Sequence, residues 1–132
     1  MNSAMTGLLY EQETYQIRKA AFEVYKEMNN GYLESVYQEC MEKELASCSI
    51  PFESQKRLSV YYKGNSLEQK YIPDLICFGK IIVELKATKE VSDEHKAQLL
   101  NYLKATGFNA GLLINFGHYP GVEIVRMVLK ES

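Results

Sequence analysis

Long apolar stretches, paired cysteines and an excess of basic charge are all missing from this 132-residue chain. No apolar run approaches the ~20 residues that a membrane-spanning helix needs, and the N-terminus lacks the basic-then-apolar form of a signal peptide. Its three cysteines, an odd number, lack metal-ligand spacing, which is typical of reduced thiols. The net charge of −2 excludes the overall basic character of many nucleic-acid-binding proteins. These absences predict a cytoplasmic protein that does not enter a membrane.

The composition is that of an ordinary globular protein, with 46% hydrophobic and 24% charged residues. We expect a single domain over residues 1–132, with residues 1–9 as a poorly ordered tail. Charge is unevenly spread, because residues 1–50 carry net −4 and residues 51–90 carry net +2. The middle segment is therefore either a local anion-binding face or a solvated strand surface, and both alternatives stay open.

Hydrophobic periodicity predicts a mixed α/β fold in which one helix lies between two parallel strands. Ser92 is expected to cap that helix, and Gly107 to follow its end. The predicted elements are helices over 11–28, 32–47 and 93–106, and strands over 57–62, 67–77, 80–87, 110–116 and 122–129.

The stretch KYIPDLICFGKIIVELKA, residues 70–87, predicts two strands joined at Gly79. With a three-residue loop at 78–80, Asp74 lies directly opposite Glu84, where like charges are destabilising. A two-residue loop would instead place the two carboxylates on different faces. Lys86 shares a face with Glu84, because side chains two apart on a strand point the same way.

A patch of two carboxylates and a lysine is costly unless something neutralises it. A divalent metal would do so, because hard cations prefer carboxylate oxygens, and Lys86 could stabilise a developing oxyanion. The plainer alternative is that Asp74 ends a strand while Glu84 and Lys86 form a surface pair. Similarly, Gln98 and Tyr102, with His95 beside them, and Glu34 on the second helix could be ordinary polar helix residues.

Several motifs occur together and in order along residues 14–129. PD at 73–74 and ELK at 84–86 resemble the PD-(D/E)xK motif of the restriction-endonuclease-like nuclease superfamily. The Gln-x-x-x-Tyr at 98–102 is similar to a further motif of its helicase-linked exonucleases. GYLESVY at 31–37 matches the motif that names the GxxExxY family, a set of small bacterial proteins placed in that superfamily. HKAQLLNYLKATG and GLLINFG extend the resemblance.

The resemblance implies a restriction-endonuclease-like αβββαβ core with a mixed central sheet flanked by helices and an extra N-terminal helix. It implies that Asp74 and Glu84 hold Mg²⁺ or Mn²⁺, that Glu34 holds or orients the metal and its water, and that Lys86 is the catalytic lysine. It also implies that Gln98 and Tyr102 position the substrate phosphate or the active-site carboxylates. The site residues carried over are Glu34, Asp74, Glu84, Lys86, Gln98 and Tyr102.

Two functions follow from these observations and remain open. The first is a metal-dependent nuclease that hydrolyses phosphodiester bonds in DNA or RNA. The second is a non-catalytic binding or assembly module that retains the nuclease fold. The acidic balance predicts weak nucleic-acid binding by the chain alone, and the small size favours a protein partner or a homodimer.

Overall fold

A computed structural model describes residues 8–129 of the chain. The predicted tail at residues 1–9 falls mostly outside this range, and in its described part the Leu9 carbonyl accepts a hydrogen bond from the Arg126 guanidinium at 2.8 Å. None of the helices described is both long and apolar enough to cross a membrane. The helices are α1 (Glu11–Met28), α2 (Glu34–Ser47) and α3 (Asp93–Thr106), and the strands are β1 (Phe52–Ser54), β2 (Leu58–Tyr62), β3 (Asn65–Tyr71), β4 (Leu75–Cys77), β5 (Ile81–Lys86), β6 (Ala110–Asn115) and β7 (Glu123–Val128).

Five strands form the central sheet in the order β1-β4-β5-β6-β7. β5 and β6 run parallel, with Ile81 opposite Ala110 and Lys86 opposite Asn115, and the other neighbours are antiparallel. β6 is buried along its whole length, as its continuous apolar run predicts. The predicted mixed sheet with a strand–helix–strand unit is therefore confirmed.

Helices cover both faces of this sheet. α1 and α2 pack on the face that carries Ile81, Val83 and Leu85, and α3 packs on the face that carries Ile82. Side chains alternate along a strand, so Glu84 and Lys86 lie on the α3 face. Ser92 caps α3 and Gly107 follows it in the left-handed conformation, as predicted.

The predicted continuous strand over 67–77 is wrong, because two separate strands occupy that segment. β3 ends at Tyr71 and β4 begins at Leu75, with Pro73 between them. Proline has no N–H to donate to a strand ladder, so it suits the point where the chain leaves one sheet for another. The prediction also lacked β1, a three-residue strand too short to show a period.

β2 and β3 form a separate two-stranded sheet, which we call the arm (Leu58–Tyr71). A two-residue turn at Lys63 and Gly64 joins its strands. Residues 61–69 are exposed, whereas Leu58 and Val60 at the base pack beside α3. The arm therefore projects from the domain, and only its base is covered.

Candidate metal and phosphodiester site

The hairpin of β4 and β5 has the register that brings the two acidic motif residues together. Cys77 pairs with Ile81 and Leu75 with Val83, so the loop spans residues 78–80, as predicted. Phe78 and Gly79 have φ of 57° and 68°, and this left-handed backbone is readily adopted by glycine. One further step of the same register sets Asp74 opposite Glu84.

Asp74 is held in place by two elements. Its Oδ2 accepts a hydrogen bond from the Leu85 amide at 2.7 Å, so the side chain continues the pairing of β5 beyond the end of β4. Its carbonyl accepts a hydrogen bond from Nε2 of Gln38 on α2 at 3.0 Å. The carboxylate therefore has a fixed position at the junction of the sheet and α2.

The Glu84 carboxyl lies among groups that change its acidity. Burial, followed by the charge of Asp74 and a hydrogen bond between the two carboxyl groups, raises the pKa of Glu84 from its ordinary 4.5 to about 7. A hydrogen bond from the Tyr71 hydroxyl and the charge of Lys86 oppose this shift. Near neutral pH the Glu84 carboxyl thus retains its proton for part of the time, which relieves the repulsion from Asp74.

Tyr71 is a member of the site that the sequence prediction missed. Its hydroxyl donates to Glu84, and its ring stacks on Tyr102 of α3, with the ring centroids 4.0 Å apart and the planes at 6°. Burial and the charge of Glu84 raise the pKa of Tyr71, so it remains a donor. The change of sheet at Pro73 hid this contact, because no strand register connects Tyr71 to Glu84.

A small cavity of about 10 Å³ is lined by four of the six predicted residues, and Asp74 and Glu34 are not among them. This volume is near the lower limit for one water molecule, so the closed site has no room for a nucleotide. An open depression of about 480 Å³ along α3 shares Gln98 and Tyr102 with it. The cavity is lined by Glu84, Lys86, Gln98, Tyr102, Tyr71, His95, Leu99 and Leu113.

His95 beside the cavity also has a structural task. Its Nδ1 accepts a hydrogen bond from the Ser92 amide at 3.2 Å, and the Ser92 hydroxyl accepts from the His95 amide at 3.1 Å. This reciprocal pair is a capping box, with histidine in the position that glutamate or glutamine usually takes. It fixes the start of α3, the helix that carries Gln98 and Tyr102.

Glu34 does not line this cavity. It is the first residue of α2 and is exposed. Gln38, which contacts the Asp74 carbonyl, lies one helical turn further on, a rise of ~5.4 Å, and residues four apart share a helix face. Glu34 is therefore on the side of α2 from which it can approach Asp74, although within residues 8–129 its side chain forms no hydrogen bond or ion pair.

Whether a metal ion fits depends on the donors present. Residues 8–129 contain no group of three or more histidine, cysteine, aspartate or glutamate side chains placed to hold one. However, the adjoining carboxyl groups of Asp74 and Glu84 supply the oxygen donors that hard divalent cations prefer. A cation held between them would neutralise both charges, so the donor set fits a Mg²⁺- or Mn²⁺-type ion.

Comparison with known proteins is consistent with this geometry. The family model of the PD-(D/E)XK nuclease superfamily matches residues 11–127. The chain therefore belongs to that superfamily, and its sheet flanked by helices is a restriction-endonuclease-like fold. Nucleases of the superfamily generally use divalent metals.

One solved structure supports the fold independently of the sequence motifs. The crystal structure of SSO0001 has a TM-score of 0.55 and 18% sequence identity, covering 71% of this chain. The match covers 48% of that chain, so this protein spans about half the length of its structural relative. No curated protein has a sequence that matches the chain significantly.

Proposed function

We propose that this protein is a metal-dependent nuclease that hydrolyses phosphodiester bonds in DNA or RNA. The observation that carries the proposal is the hairpin register that sets Asp74 opposite Glu84, where burial and the charge of Asp74 raise the pKa of Glu84, with Lys86 on the same face of β5. A structural surface pair would give no reason for two half-buried like charges to adjoin, whereas a cation site requires them.

In this proposal Asp74 and Glu84 hold Mg²⁺ or Mn²⁺, and Glu34 completes the ligand set from α2. When bound, the ion supplies Lewis-acid charge and lowers the pKa of the attacking water. Lys86 places an ammonium where negative charge develops on the phosphoryl oxygens. Gln98 and Tyr102, at the edge of the depression along α3, orient the substrate phosphate.

We further infer that the chain belongs to the GxxExxY branch, because GYLESVY carries its motif and the glycine, glutamate and second tyrosine of that motif each have a structural role. Gly31 has φ of 117°, a conformation that favours glycine, and Glu34 opens α2. Tyr37 is fully buried, stacks on Phe116 at 4.5 Å and donates a hydrogen bond to the Asn29 carbonyl. The motif thus fixes the loop that presents Glu34 beside the sheet.

The proposal includes a cytoplasmic location and weak nucleic-acid binding by the chain alone. Cys40, Cys48 and Cys77 are free thiols, which suits a reducing compartment. A net charge of −2 provides few groups to neutralise phosphates, so affinity should be modest and sensitive to salt. A protein partner or a second copy of the chain would supply the missing surface.

A non-catalytic binding or assembly module is the second candidate. It is favoured by the small volume of the cavity and by the exposed position of Glu34 outside it. A module of this kind would need the fold and the stacked tyrosines but would have no use for a divalent ion.

Metal-dependent stabilisation and cleavage separate the two candidates. Melting temperature should rise when Mn²⁺ is added to the wild type, and not for Asp74→Asn, which removes the charge but keeps an acceptor for the Leu85 amide. Glu53→Gln, at an exposed carboxylate paired with Lys56, is the matched control and should respond as the wild type does. Cleavage is measured with Mg²⁺ or Mn²⁺ on single- and double-stranded DNA and RNA. A wild type with neither response would establish the non-catalytic module.

A further inference from the structure

The arm combines exposed aromatic rings with basic side chains. Tyr61 and Tyr62, next to the turn, are 52% and 60% exposed. Lys63 lies over the Tyr62 ring, with Nζ 5.5 Å from the ring centroid. Large rings left in water at the tip of a projecting hairpin contribute little to folding, so their presence there needs another explanation.

The charge of the arm is opposite to that of the rest of the chain. Residues 58–71 contain two basic residues and one acidic residue, net +1. Because the whole chain has a net charge of −2, the remainder carries −3. The arm is therefore the part of the molecule to which a polyanion would be drawn.

The base of the arm is fixed to the candidate site. Tyr71, the last residue of β3, donates its hydroxyl hydrogen bond to Glu84 and stacks on Tyr102. Leu58 pairs with Tyr71 and packs beside α3. A strand lying on the arm would thus be led directly to the carboxylates.

The two adjacent tyrosines lie on opposite sides of the arm. Leu58 and Val60 pack inward against the α3 cluster, and alternation along β2 places Tyr62 on that same side. Tyr61 is on the outer side with Ser59, whose hydroxyl accepts a hydrogen bond from Lys70 at 3.4 Å. Only Tyr62 is therefore on the side of the arm that faces the site.

We propose that the arm binds single-stranded nucleic acid, with a base stacked on Tyr62 and the neighbouring phosphate paired with Lys63. The proposal rests on the nuclease function above and names its substrate class. Aromatic rings stack on bases of any sequence, which gives affinity without base readout. The base of the arm adjoins Glu84, so the backbone of the bound strand would lie beside the candidate site.

Charge density favours a single strand over a duplex. A duplex carries one negative charge per ~1.7 Å of axis, twice the density of one of its strands. Two cations on an arm attached to a domain of net −3 tolerate the lower density better. Bases in a duplex are also stacked on each other, so their faces are not available to a tyrosine.

Binding in EDTA tests the arm without any cleavage. The probes are fluorescein-labelled oligo(dT) and oligo(U) of about 15 nucleotides, a length within reach of a single-strand site, and a duplex of equal length. Tyr62→Ala should weaken binding to the single strands by roughly fivefold to 100-fold, as expected for a lost base stack. Tyr61→Ala, the matched exposed tyrosine, should bind within about twofold of the wild type, well below the effect of a lost stack. Tyr62→Phe should restore binding, because it keeps the ring.

The charge of the arm is tested in the same assay. Lys63→Ala should lower the slope of log affinity against log salt by about 0.7, the value for one phosphate contact on a single strand. Lys56→Ala should leave the slope unchanged, because Lys56 is already paired with Glu53 at 3.3 Å. Oligo(dT) and oligo(U) together show whether DNA or RNA is preferred.

Three results would overturn the proposal: tighter binding of the duplex, equal losses for the two tyrosine variants, or a self-association of the protein that Tyr62→Ala abolishes while oligonucleotide binding is unchanged. Its failure is distinct from failure of the nuclease function. If Tyr62→Ala leaves Mn²⁺-dependent cleavage unchanged, the proposed role of the arm is wrong and the nuclease function stands. If single strands bind through Tyr62 but are not cleaved, the role of the arm stands and the nuclease function is wrong.

Discussion

The two faces of the five-stranded sheet share the same strands but differ in what covers them. On one face α1 and α2 enclose sixteen buried residues in one cluster, including the side chains of Ile81, Val83 and Leu85. On the other face α3 and the base of the arm enclose six buried residues, and the nearby side chains of Glu84 and Lys86 are only half-buried. Alternate residues of one strand, β5, therefore enter two different environments.

The two faces therefore have different roles: the first stabilises the fold, and the second carries the polar residues of the candidate site. A well-filled apolar face tolerates no charge, because an unpaired carboxylate there would be strongly destabilising. The smaller α3 face leaves the end of β5 partly open, so two carboxyls, a lysine and a tyrosine can adjoin and interact. We therefore expect substitutions on the first face to change the free energy of unfolding, and substitutions on the second to change metal binding and catalysis.

The largest effect on stability should come from Tyr37→Ala on the first face. This fully buried ring stacks on Phe116, and truncating a large buried aromatic residue costs about 3–5 kcal/mol. Urea unfolding measures the change. Tyr37→Phe keeps the stack and loses only the hydroxyl bond to the Asn29 carbonyl, so it should cost about 1 kcal/mol. Equal costs for the two variants would show that the buried ring is not a major source of stability.

On the second face, Lys86→Ala should reduce cleavage by about 10²–10³-fold, the usual cost of removing one preorganised charge-stabilising group. Lys86 is half-buried and takes part in no ion pair within residues 8–129, so the free energy of unfolding should change little. Single-turnover rates with Mn²⁺ measure the effect. Lys89→Ala, at an exposed lysine just beyond β5, is the matched control. Similar losses for both lysines would indicate general charge attraction rather than a catalytic role.

The raised pKa of Glu84, on the second face, predicts that the free energy of unfolding depends on pH between about 4.5 and 7. Burial and Asp74 raise its pKa to about 7, so the folded protein keeps a proton that the unfolded chain releases near the ordinary value of 4.5. Unfolding between these pH values releases a proton, and stability without metal must fall as pH rises through this window. At ~1.4 kcal/mol per pKa unit, the fall should be about 1–3 kcal/mol.

Urea unfolding in EDTA across that pH range, for the wild type and Glu84→Gln, measures this contribution. Glutamine resembles the protonated acid, so the difference in unfolding free energy between the two proteins should change through the window. Mn²⁺ competes with the proton, and its stabilising effect should therefore grow as pH rises. A constant difference between the two proteins would mean that Glu84 titrates as an exposed residue does.

The elements that sequence could predict were those with strong local signals. α1 was predicted at its observed bounds, because its apolar stripe is long and regular. Gly79 marked the turn of the β4–β5 hairpin, and of the two loop lengths that the sequence left open, the three-residue loop and its register are observed. The pairing of Asp74 with Glu84 depended only on that register, which is why two residues ten apart could be brought together from sequence.

Contacts between separate sheets could not be predicted in this way. In sequence only residues 72–74 lie between β3 and β4, and the separation of the two strands at Pro73 depends on where the arm packs. Tyr71 reaches Glu84 only because of that separation. Glu34 shows the opposite case: its motif marks it clearly, yet its distance from the carboxylates depends on how α2 lies against the sheet.

Tyr71→Phe should have only a small effect on stability and sharpens the comparison between the faces. It removes the hydroxyl that donates to Glu84 but keeps the ring stacked on Tyr102. The free energy of unfolding should therefore fall by only about 1 kcal/mol. Tyr25→Phe is the matched control on the first face, because it also removes one hydroxyl bond, to the His118 carbonyl at 2.8 Å. Both variants should unfold at similar urea concentrations.

Only Tyr71→Phe should change function: the hydrogen bond it removes lowers the pKa of Glu84, so this pKa should rise further. Mn²⁺ binding should then require a higher pH, with the acid limb of the cleavage profile shifted upward and the rate at its plateau unchanged. An unshifted acid limb would show that the Tyr71 hydroxyl holds the arm in place without tuning the carboxylate.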